Sequence, residues 1–518
     1  MAFADYFQRN AMAATQLLKG MDFDGMKAVL ERHRIGLVVD ASANSAEGRA
    51  AADLTVRLIA RFYPNISIHA AEADATAHAA ELAKLAKAIN PKISLSNTLG
   101  SVTHCLVVGK TPVTLKQKTG RLIYMGSDNW LAKVSLKKPV GSGSTRNPFG
   151  AGVAACLAAA NLFRLVFAAQ LDTTCVLDED LTLSLLTLNR KAKTRGRAYR
   201  GSDLGRMFLV GAGAIGNGVL WAVARAEVTG ELIVVDPQQI DLGNPQRYVM
   251  TVRKDVGSTK ADLAVAWLAG SKGLKVTPEQ KSWDDFARGT DWLFPRVLVA
   301  LDTAEARIAV QASLPKWIVN AWTREAAIGV SRHPTLAGGG CLACQYLPAG
   351  KAPSLDVMVA STFGFAIEPQ TPIVHPELME IRQRLDRNVP CELAFLERVA
   401  VKKNLPIECL LPFEGRTLRD LYTEGVCGGQ ILGITADNQE TLAEVPMAFQ
   451  SALAGILLTA ELVIDSQGLR AEPVLDETRI NLMKPLLNNV CSPSGKDLEG
   501  RCICQDPDFQ ACYEEKYG

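Results

Sequence analysis

A short apolar run, Arg206–Val210, breaks into three glycines at fixed intervals, Gly211, Gly213 and Gly216, and the chain from Asn217 to Val228 is then rich in Ala, Val and Leu. The pattern reads as strand, tight turn and helix. A strand that is apolar without alternation belongs in a parallel sheet covered on both faces. Glycine lets the backbone turn sharply and leaves the N–H groups at the helix start open to phosphate oxygens. A second strand, Glu231–Val235, ends in Asp236, about twenty residues past the last glycine, where an acidic residue commonly meets a ribose hydroxyl. The expected fold class is α/β, with a nucleotide at the carboxyl edge of the sheet. NAD, FAD and ATP all fit to this point.

The next polar residues separate them. Asn244 and Arg247 follow the second strand, Lys260 follows Gly257-Ser258-Thr259 at the start of an expected helix, and Asp302 closes a third strand, Arg296–Leu301. Arginine and lysine converging on this edge suit a triphosphate better than a neutral nicotinamide. A carboxylate beside a polyphosphate is a natural magnesium ligand. The expectation is ATP and magnesium, used to turn a carboxylate into a reactive acyl phosphate.

With G-x-G-x-x-G at 211–216, D-x4-D-x2-N-x2-R at Asp236, Asp241, Asn244 and Arg247, then Lys260 and Asp302, the chain resembles the ThiF/MoeB superfamily, which includes the ubiquitin-activating enzymes. The resemblance is close over residues 200–345. It implies that Gly211, Gly213 and Gly216 line the ATP phosphates, that Asp236 binds the ribose, that Asn244, Arg247 and Lys260 contact the phosphates, and that Asp302 holds magnesium. Where the family has Asn-Leu-x-Arg-Gln, this chain has Asn244-Pro-Gln-Arg247-Tyr248. Within the superfamily the chain looks most like bacterial ubiquitin-activating-like enzymes of antiphage conjugation operons. That likeness implies adenylation of the C-terminal carboxylate of a ubiquitin-like protein, a thioester on an enzyme cysteine, and transfer to a conjugating enzyme. An adenylyltransferase for a sulfur-carrier protein, an NAD- or FAD-dependent oxidoreductase and a non-catalytic scaffold are the alternatives.

At 518 residues the chain is too long for one core. A net charge of +2, with no basic tract, gives nucleic-acid binding no support. The opening residues lack the basic-then-apolar pattern of a signal peptide, so a cytoplasmic chain is expected. Two long apolar stretches, Phe149–Leu171 and Val445–Ile464, contain Asn161, Arg164, Gln450 and Glu461. Those polar residues favour buried core helices over membrane spans. The two stretches also look alike, and a comparable helix pairs two nucleotide-type domains in the superfamily. The expected architecture is therefore two tandem Rossmann-like (ThiF-type) domains as a fused pseudo-dimer.

Residues 1–195 are expected to be the degenerate copy, with strands at Ile35–Val39 and Asn65–His69 and helices at Glu47–Phe62 and Glu72–Ala88, and with Ala41–Ser45 in place of a glycine loop. Lys191–Gly201 reads as a linker, 196–345 as the active adenylation domain, 346–440 as a crossover segment, and 441–518 as the closing helix with a zinc-anchored part. The superfamily implies an arginine reaching the ATP from the partner domain. Arg9 is the candidate, against its plainer reading as a surface arginine.

Cys341-Leu-Ala-Cys344 and Cys502-Ile-Cys504 are the two close cysteine pairs, and four thiolates make a closed structural zinc site. The first pair is expected in the Gly338–Gly340 loop rather than at a helix start, with Cys491 and Cys512 as spare ligands. Related activating enzymes carry the thioester cysteine in the crossover segment. Cys427, flanked by glycines, is the first candidate. Cys391 follows at the expected head of a helix, where the dipole would lower its pKa, and Cys409 reads as core. Cys105, Cys156 and Cys175 read as packing residues.

Overall fold

The computed structural model describes residues 2–18, 20–117, 120–190, 194–347, 355–365, 375–403, 407–422, 445–487 and 490–518. In the first half, α1 (Phe7–Thr15) and α2 (Phe23–Arg32) precede β1 (Ile35–Val39), α3 (Ala46–Phe62), β2 (Asn65–Ala70), α4 (Thr76–Ile89) and β3 (Ser94–Ser96). β4 (His104–Val108), β5 (Arg121–Asp128), β6 (Leu131–Ser135), α5 (Pro148–Val166) and β7 (Asp180–Ser184) complete it. The second half runs β8 (Ser202–Val210), α6 (Ala214–Val223), β9 (Val228–Val235), α7 (Lys260–Leu268), β10 (Leu274–Glu279) and α8 (Trp283–Ala287). It continues through β11 (Val297–Val299), α9 (Ala304–Ala312), β12 (Ile318–Arg324), β13 (Ala327–His333) and α10 (Leu342–Tyr346).

Residues 348–445 form a compact unit of their own. It contains α11 (Leu355–Thr362), α12 (Pro376–Arg387), α13 (Leu393–Lys403) and the short α14 (Leu418–Asp420), and Phe363, Ile381, Cys391, Phe395 and Phe413 lie in its core. The other unit joins residues 1–347 to 446–518, where α15 (Ala448–Ser466), β14 (Glu477–Asn481), β15 (Cys491–Ser492) and α16 (Pro507–Tyr517) follow.

Two sheets carry that larger unit. Their strand orders are β3-β2-β1-β4-β5-β6-β7 and β10-β9-β8-β11-β12-β13-β14-β15. In each, the first five strands pair in parallel and the later ones antiparallel. Strand for strand, the second sheet repeats the first and adds one edge strand. α5 enters between β6 and β7 just as α15 enters between β13 and β14, so the duplication seen in the two apolar stretches extends through the whole topology.

Those two helices explain their own composition. Both are apolar all round because both are 94% buried, and a helix enclosed on every side has no polar face to keep. Their charged residues are paired inside the protein. Arg164 meets Asp178 at 2.9 Å, and Glu461 meets Arg332 at 2.7 Å and Arg470 at 2.5 Å. Burial alone would raise the Glu461 carboxyl, but the two guanidiniums outweigh it and hold the group at about 2.

Local boundaries depart from the sequence reading at several elements. The helix expected at Asn217–Val228 is α6, Ala214–Val223, because Glu227 takes a left-handed conformation at φ 47° and Val228 already opens β9. The helix expected at Glu72–Ala88 starts only at Thr76, after a 3-10 turn over Ala73–Ala75. The third strand is the shorter Val297–Val299. Of the expected linker, residues 191–193 lie outside the described residues, and the rest is held in place. Asn129 donates to the carbonyls of Arg195 at 2.9 Å and Arg197 at 2.6 Å, and Tyr199 is buried.

Candidate functional site

The glycine loop sits where three adjacent parallel strands end. β9, β8 and β11 lie side by side, so their carboxyl ends, at Asp236, Gly211 and the segment before Asp302, open on one edge of the sheet. Gly211 adopts φ +92°, and a Cβ there would stand 2.6 Å from the Ala300 carbonyl oxygen. A Cβ on Gly216 would stand 2.3 Å from the Gly211 oxygen. These two positions need glycine because the loop folds back on itself and on the β11 end. Gly213 is the N-cap of α6, which turns the positive end of that helix toward the crevice.

Polar side chains fix the loop. The Asp236 carboxylate accepts from the Ala212 N–H at 2.7 Å and the Gln238 N–H at 2.9 Å. Asn217, fully buried, donates to the Ala212 and Gly213 carbonyls at 3.0 Å each and accepts from the Met250 N–H at 3.2 Å. Asn244 uses its side-chain oxygen within its own turn, accepting from the Asp241 N–H at 3.1 Å.

Three cations gather around Tyr248. The hydroxyl of Tyr248 lies 3.4 Å from where a Gly213 Cβ would be, the Lys260 Nζ is 5.4 Å from its ring centre, and the Arg247 Cζ is 5.6 Å from it. Lys260 is buried and donates to Gln238 at 2.6 Å. Burial works against its charge, but the fields of Tyr248 and Asp236 outweigh it and hold the ammonium above the ordinary lysine range. Arg9 arrives from the first half. Its Nε lies 2.8 Å from where a Gly243 Cβ would be, and its Nη1 is buried without a partner among the described residues. Burial first, and the charge of Arg247 second, push its pKa down to about 10.

Asp302 is exposed, on the turn between β11 and α9. Behind it, Arg307 donates to the Leu301 carbonyl and, at 3.2 Å, to Asn320. The first sheet has a different turn in the equivalent place. After β1, the Asp40 carboxylate accepts from the N–H groups of Ser42 at 2.9 Å, Lys110 at 2.6 Å and Thr111 at 2.8 Å. Burial would raise this carboxyl, but the Ser42 hydroxyl, donating at 2.6 Å, and then the Thr111 and Lys110 N–H groups outweigh it and hold it below its usual range. Three backbone N–H groups at this edge are thus donated to the chain's own carboxylate.

The four expected cysteines come together. The sulfurs of Cys341, Cys344, Cys502 and Cys504 all lie within 4.8 Å of one another, with Cys341 to Cys502 at 3.3 Å and Cys344 to Cys504 at 3.4 Å. Tetrahedral zinc with ~2.3 Å bonds would set sulfurs about 3.8 Å apart, close to this spacing. Cys344 Sγ also accepts from the Asp497 N–H at 3.4 Å, and donors from Cys341 and Cys502 hold it well below the ordinary thiol range. One expectation needs correcting here: the first pair does open a helix, with Cys341 as the N-cap of α10. The spare candidates lie outside the cluster, Cys491 on β15 and Cys512 exposed on α16.

Cys427 lies outside the described residues. Cys409 falls in a 3-10 turn, Ile407–Cys409. Cys391 is not at a helix head: α13 begins at Leu393, and the Cys391 thiol is fully buried. Burial pushes it up to about 11 instead of down, so the expected activation by a helix dipole does not occur. Sequence reasoning passed over Asn217, Gln238, Tyr248 and Arg307. Asn217, directly after the third glycine, was the one with a local signal. A cavity of about 420 Å³ lined by Asp53, Arg57, His78, Arg146 and Arg225 lies elsewhere, and none of the nucleotide-edge residues borders it.

Two family models match parts of the chain. Residues 38–168 match the family described as Prokaryotic E2 family C, and residues 201–362 match the ThiF family. Protein y4jF of Sinorhizobium fredii is 44% identical over 522 residues, covering 100% of this chain and 98% of that one. The NEDD8-activating enzyme E1 catalytic subunit of Dictyostelium discoideum is 30% identical over 115 residues, 22% of this chain and 26% of that one. The SAMP-activating enzyme E1 of Haloferax volcanii is 40% identical over 80 residues, 15% of this chain and 29% of that one. These last two thus match over only part of their length. Among solved structures, E. coli MccB with ATP aligns at a TM-score of 0.24 and 20% identity, over 27% of this chain and 44% of that one. The chain belongs to one family with Sinorhizobium fredii protein y4jF, and its residues 201–362 carry a ThiF-family domain.

Proposed function

We propose that the edge formed by β8, β9 and β11 binds ATP with magnesium and adenylates the C-terminal carboxylate of a ubiquitin-like protein. The observation that carries this reading is the buried, unpartnered Arg9 Nη1 beside Arg247 and Lys260 at a helix N-terminus. Three cations converging on one crevice repel one another, and a polyphosphate turns that repulsion into attraction. The glycine loop would hold phosphate oxygens, Asp236 the ribose, and Asn244, Arg247, Lys260 and Arg9 the charge of the triphosphate. Asp302, an exposed carboxylate at the same edge, suits magnesium, which would offset charge on the phosphoryl oxygens.

The carrier's carboxylate, already ionised, needs no protein base. Its oxygen attacks the α-phosphorus, the bond to the β-phosphate breaks, and pyrophosphate leaves with the electron pair. Arg247 and Lys260 stabilise the charge gathered on the α-phosphoryl oxygens. A thiolate, with Cys427 as the candidate, then attacks the acyl carbon and AMP leaves, giving a thioester for transfer to a conjugating enzyme. Residues 1–195 act as a nucleotide-free copy whose cradle is filled by Asp40. The four-cysteine cluster holds structural zinc. The likeness to antiphage conjugation operons makes phage defence the biological setting, to be tested by plaque counts on cells carrying the wild-type chain or its Lys260→Met variant.

The biochemical test is carrier-dependent exchange of labelled pyrophosphate into ATP, run beside a non-reducing gel. Exchange together with a thiol-sensitive adduct is the expected result. Exchange without any adduct would favour a sulfur-carrier adenylyltransferase. Absence of exchange, with NADH quenching protein fluorescence where ATP does not, would overturn the proposal.

A further inference from the structure

The first half grips the second at one turn. From α3, Arg61 points its Nη2 at three carbonyl oxygens, those of Tyr248 at 2.6 Å, Val249 at 2.8 Å and Thr251 at 2.6 Å. Arg57, one helical turn earlier, donates to Val249 at 3.0 Å and to Met250 at 3.4 Å. Two guanidiniums thus collect four consecutive carbonyls in the segment that begins with Tyr248 and directly follows Arg247. The opposite side of this turn is tied to the glycine loop, because Asn217 accepts from the Met250 N–H and donates to the Ala212 and Gly213 carbonyls.

The grip is anchored at both ends. Arg57 Nε meets Asp53 at 2.9 Å, and the same carboxylate accepts from Trp221 at 2.8 Å and Arg225 at 2.7 Å. Trp221 stands in the last turn of α6, the helix that starts at the glycine loop, and Arg225 lies just past its end. The Arg61 carbonyl in turn accepts from Asn10 at 2.6 Å, the neighbour of Arg9.

Simple packing does not account for Arg61. It is 1% exposed, burial pushes it down to about 10, and its Nε and Nη1 have no partner among the described residues. An apolar side chain would fill the same space without leaving a buried charge. What an apolar side chain could not do is gather carbonyls. We infer that Arg61, with Arg57, is a positioning residue for the phosphate-binding turn, so that the nucleotide-free half sets the geometry of the site in its partner. This inference rests on the nucleotide reading above.

Full-length Arg61→Met, Arg61→Lys and Arg57→Gln variants test it with two readouts. One is amide hydrogen exchange over residues 248–251 in the nucleotide-free protein. The other is the Kd for MgATP by calorimetry, taken well below each variant's melting temperature. The expected result for Arg61→Met is exchange at least about 10-fold faster and a Kd raised at least about 10-fold (~1.4 kcal/mol), with Arg61→Lys partly restoring both. Arg57→Gln, a change at the partly open cavity wall, should move both in the same direction by less, and it carries the test if Arg61→Met does not fold. Unchanged amide exchange overturns the inference. So does faster exchange with an unchanged Kd, which would leave these arginines a structural role only. Wild-type protein that fails to bind MgATP overturns the nucleotide reading itself, and is distinguished by appearing before any substitution.

Discussion

Replacing Arg9 by methionine should stabilise the nucleotide-free protein and weaken its hold on ATP. In the folded chain the Arg9 pKa falls from the ordinary arginine range to about 10, through burial and then the charge of Arg247. Each unit corresponds to ~1.4 kcal/mol, so a charged Arg9 costs the nucleotide-free fold at most about 3.5 kcal/mol, and solvent at the crevice mouth reduces that to roughly 1–3 kcal/mol. The sign follows from proton binding. With the folded value below the unfolded one, the unfolded chain holds more protons in the interval between about 10 and the ordinary arginine range. The penalty is therefore complete at pH 7 and fades only as the pH rises through about 10. Methionine keeps most of the apolar stem contact and removes the charge. Bound triphosphate reverses the balance, since a charged hydrogen bond is worth ~1.5–3 kcal/mol, or about 10- to 100-fold in Kd. Thermal melting at pH 7 with and without MgATP reads both effects. The variant should melt higher than wild type alone and gain less from MgATP. A variant that melts lower alone and keeps the full MgATP shift would refute the idea that Arg9 waits for an anion.

Four further outcomes follow from the same geometry. Asp302→Ala should reduce pyrophosphate exchange by about 100-fold or more with little change in melting, because the side chain is exposed; exchange that survives in full would remove Asp302 from the magnesium site. Gly211→Ala places a Cβ 2.6 Å from the Ala300 oxygen at φ +92°, which should cost about 2–4 kcal/mol in urea unfolding, and wild-type stability would contradict that contact. Cys502→Ser should lower bound zinc from about one ion per chain to well below it by metal analysis, together with the melting temperature; an unchanged metal content would refute the four-sulfur site. Cys391→Ala should keep any thiol-sensitive adduct, since that thiol is buried and pushed up to about 11, whereas Cys427→Ala should abolish it, and the reverse pattern would exchange their roles.

Much of this protein could be read from local pattern. β1 spans the same residues, Ile35–Val39, that the apolar run suggested, because a strand buried on both faces writes itself as unbroken hydrophobicity. The glycine spacing located the turn from β8 into α6, Asp236 and the β11 end followed from strand ends that must share one edge of a parallel sheet, and Gly257-Ser258-Thr259 marked the helix that Lys260 opens. The cysteine pairs found each other across more than 150 residues because sulfur spacing is itself a signature. Boundaries were less legible: Glu227 ends the helix-like run with a left-handed residue, a conformation with no reliable mark in the sequence.

What the sequence alone determined was therefore chemistry that repeats at short range: periodicity, turns, and residue types at strand ends. Only the tertiary structure decided which distant groups meet. It buried Cys391 in a core, tied Asp40 to the N–H groups of Ser42, Lys110 and Thr111, carried Arg9 to Arg247, and set Arg61 against the carbonyls of Tyr248, Val249 and Thr251. The physical reason is that a guanidinium 187 residues from its acceptor has no local partner to betray it, and its role exists only once two sheets of the same topology have packed through α3, α5, α6 and α15.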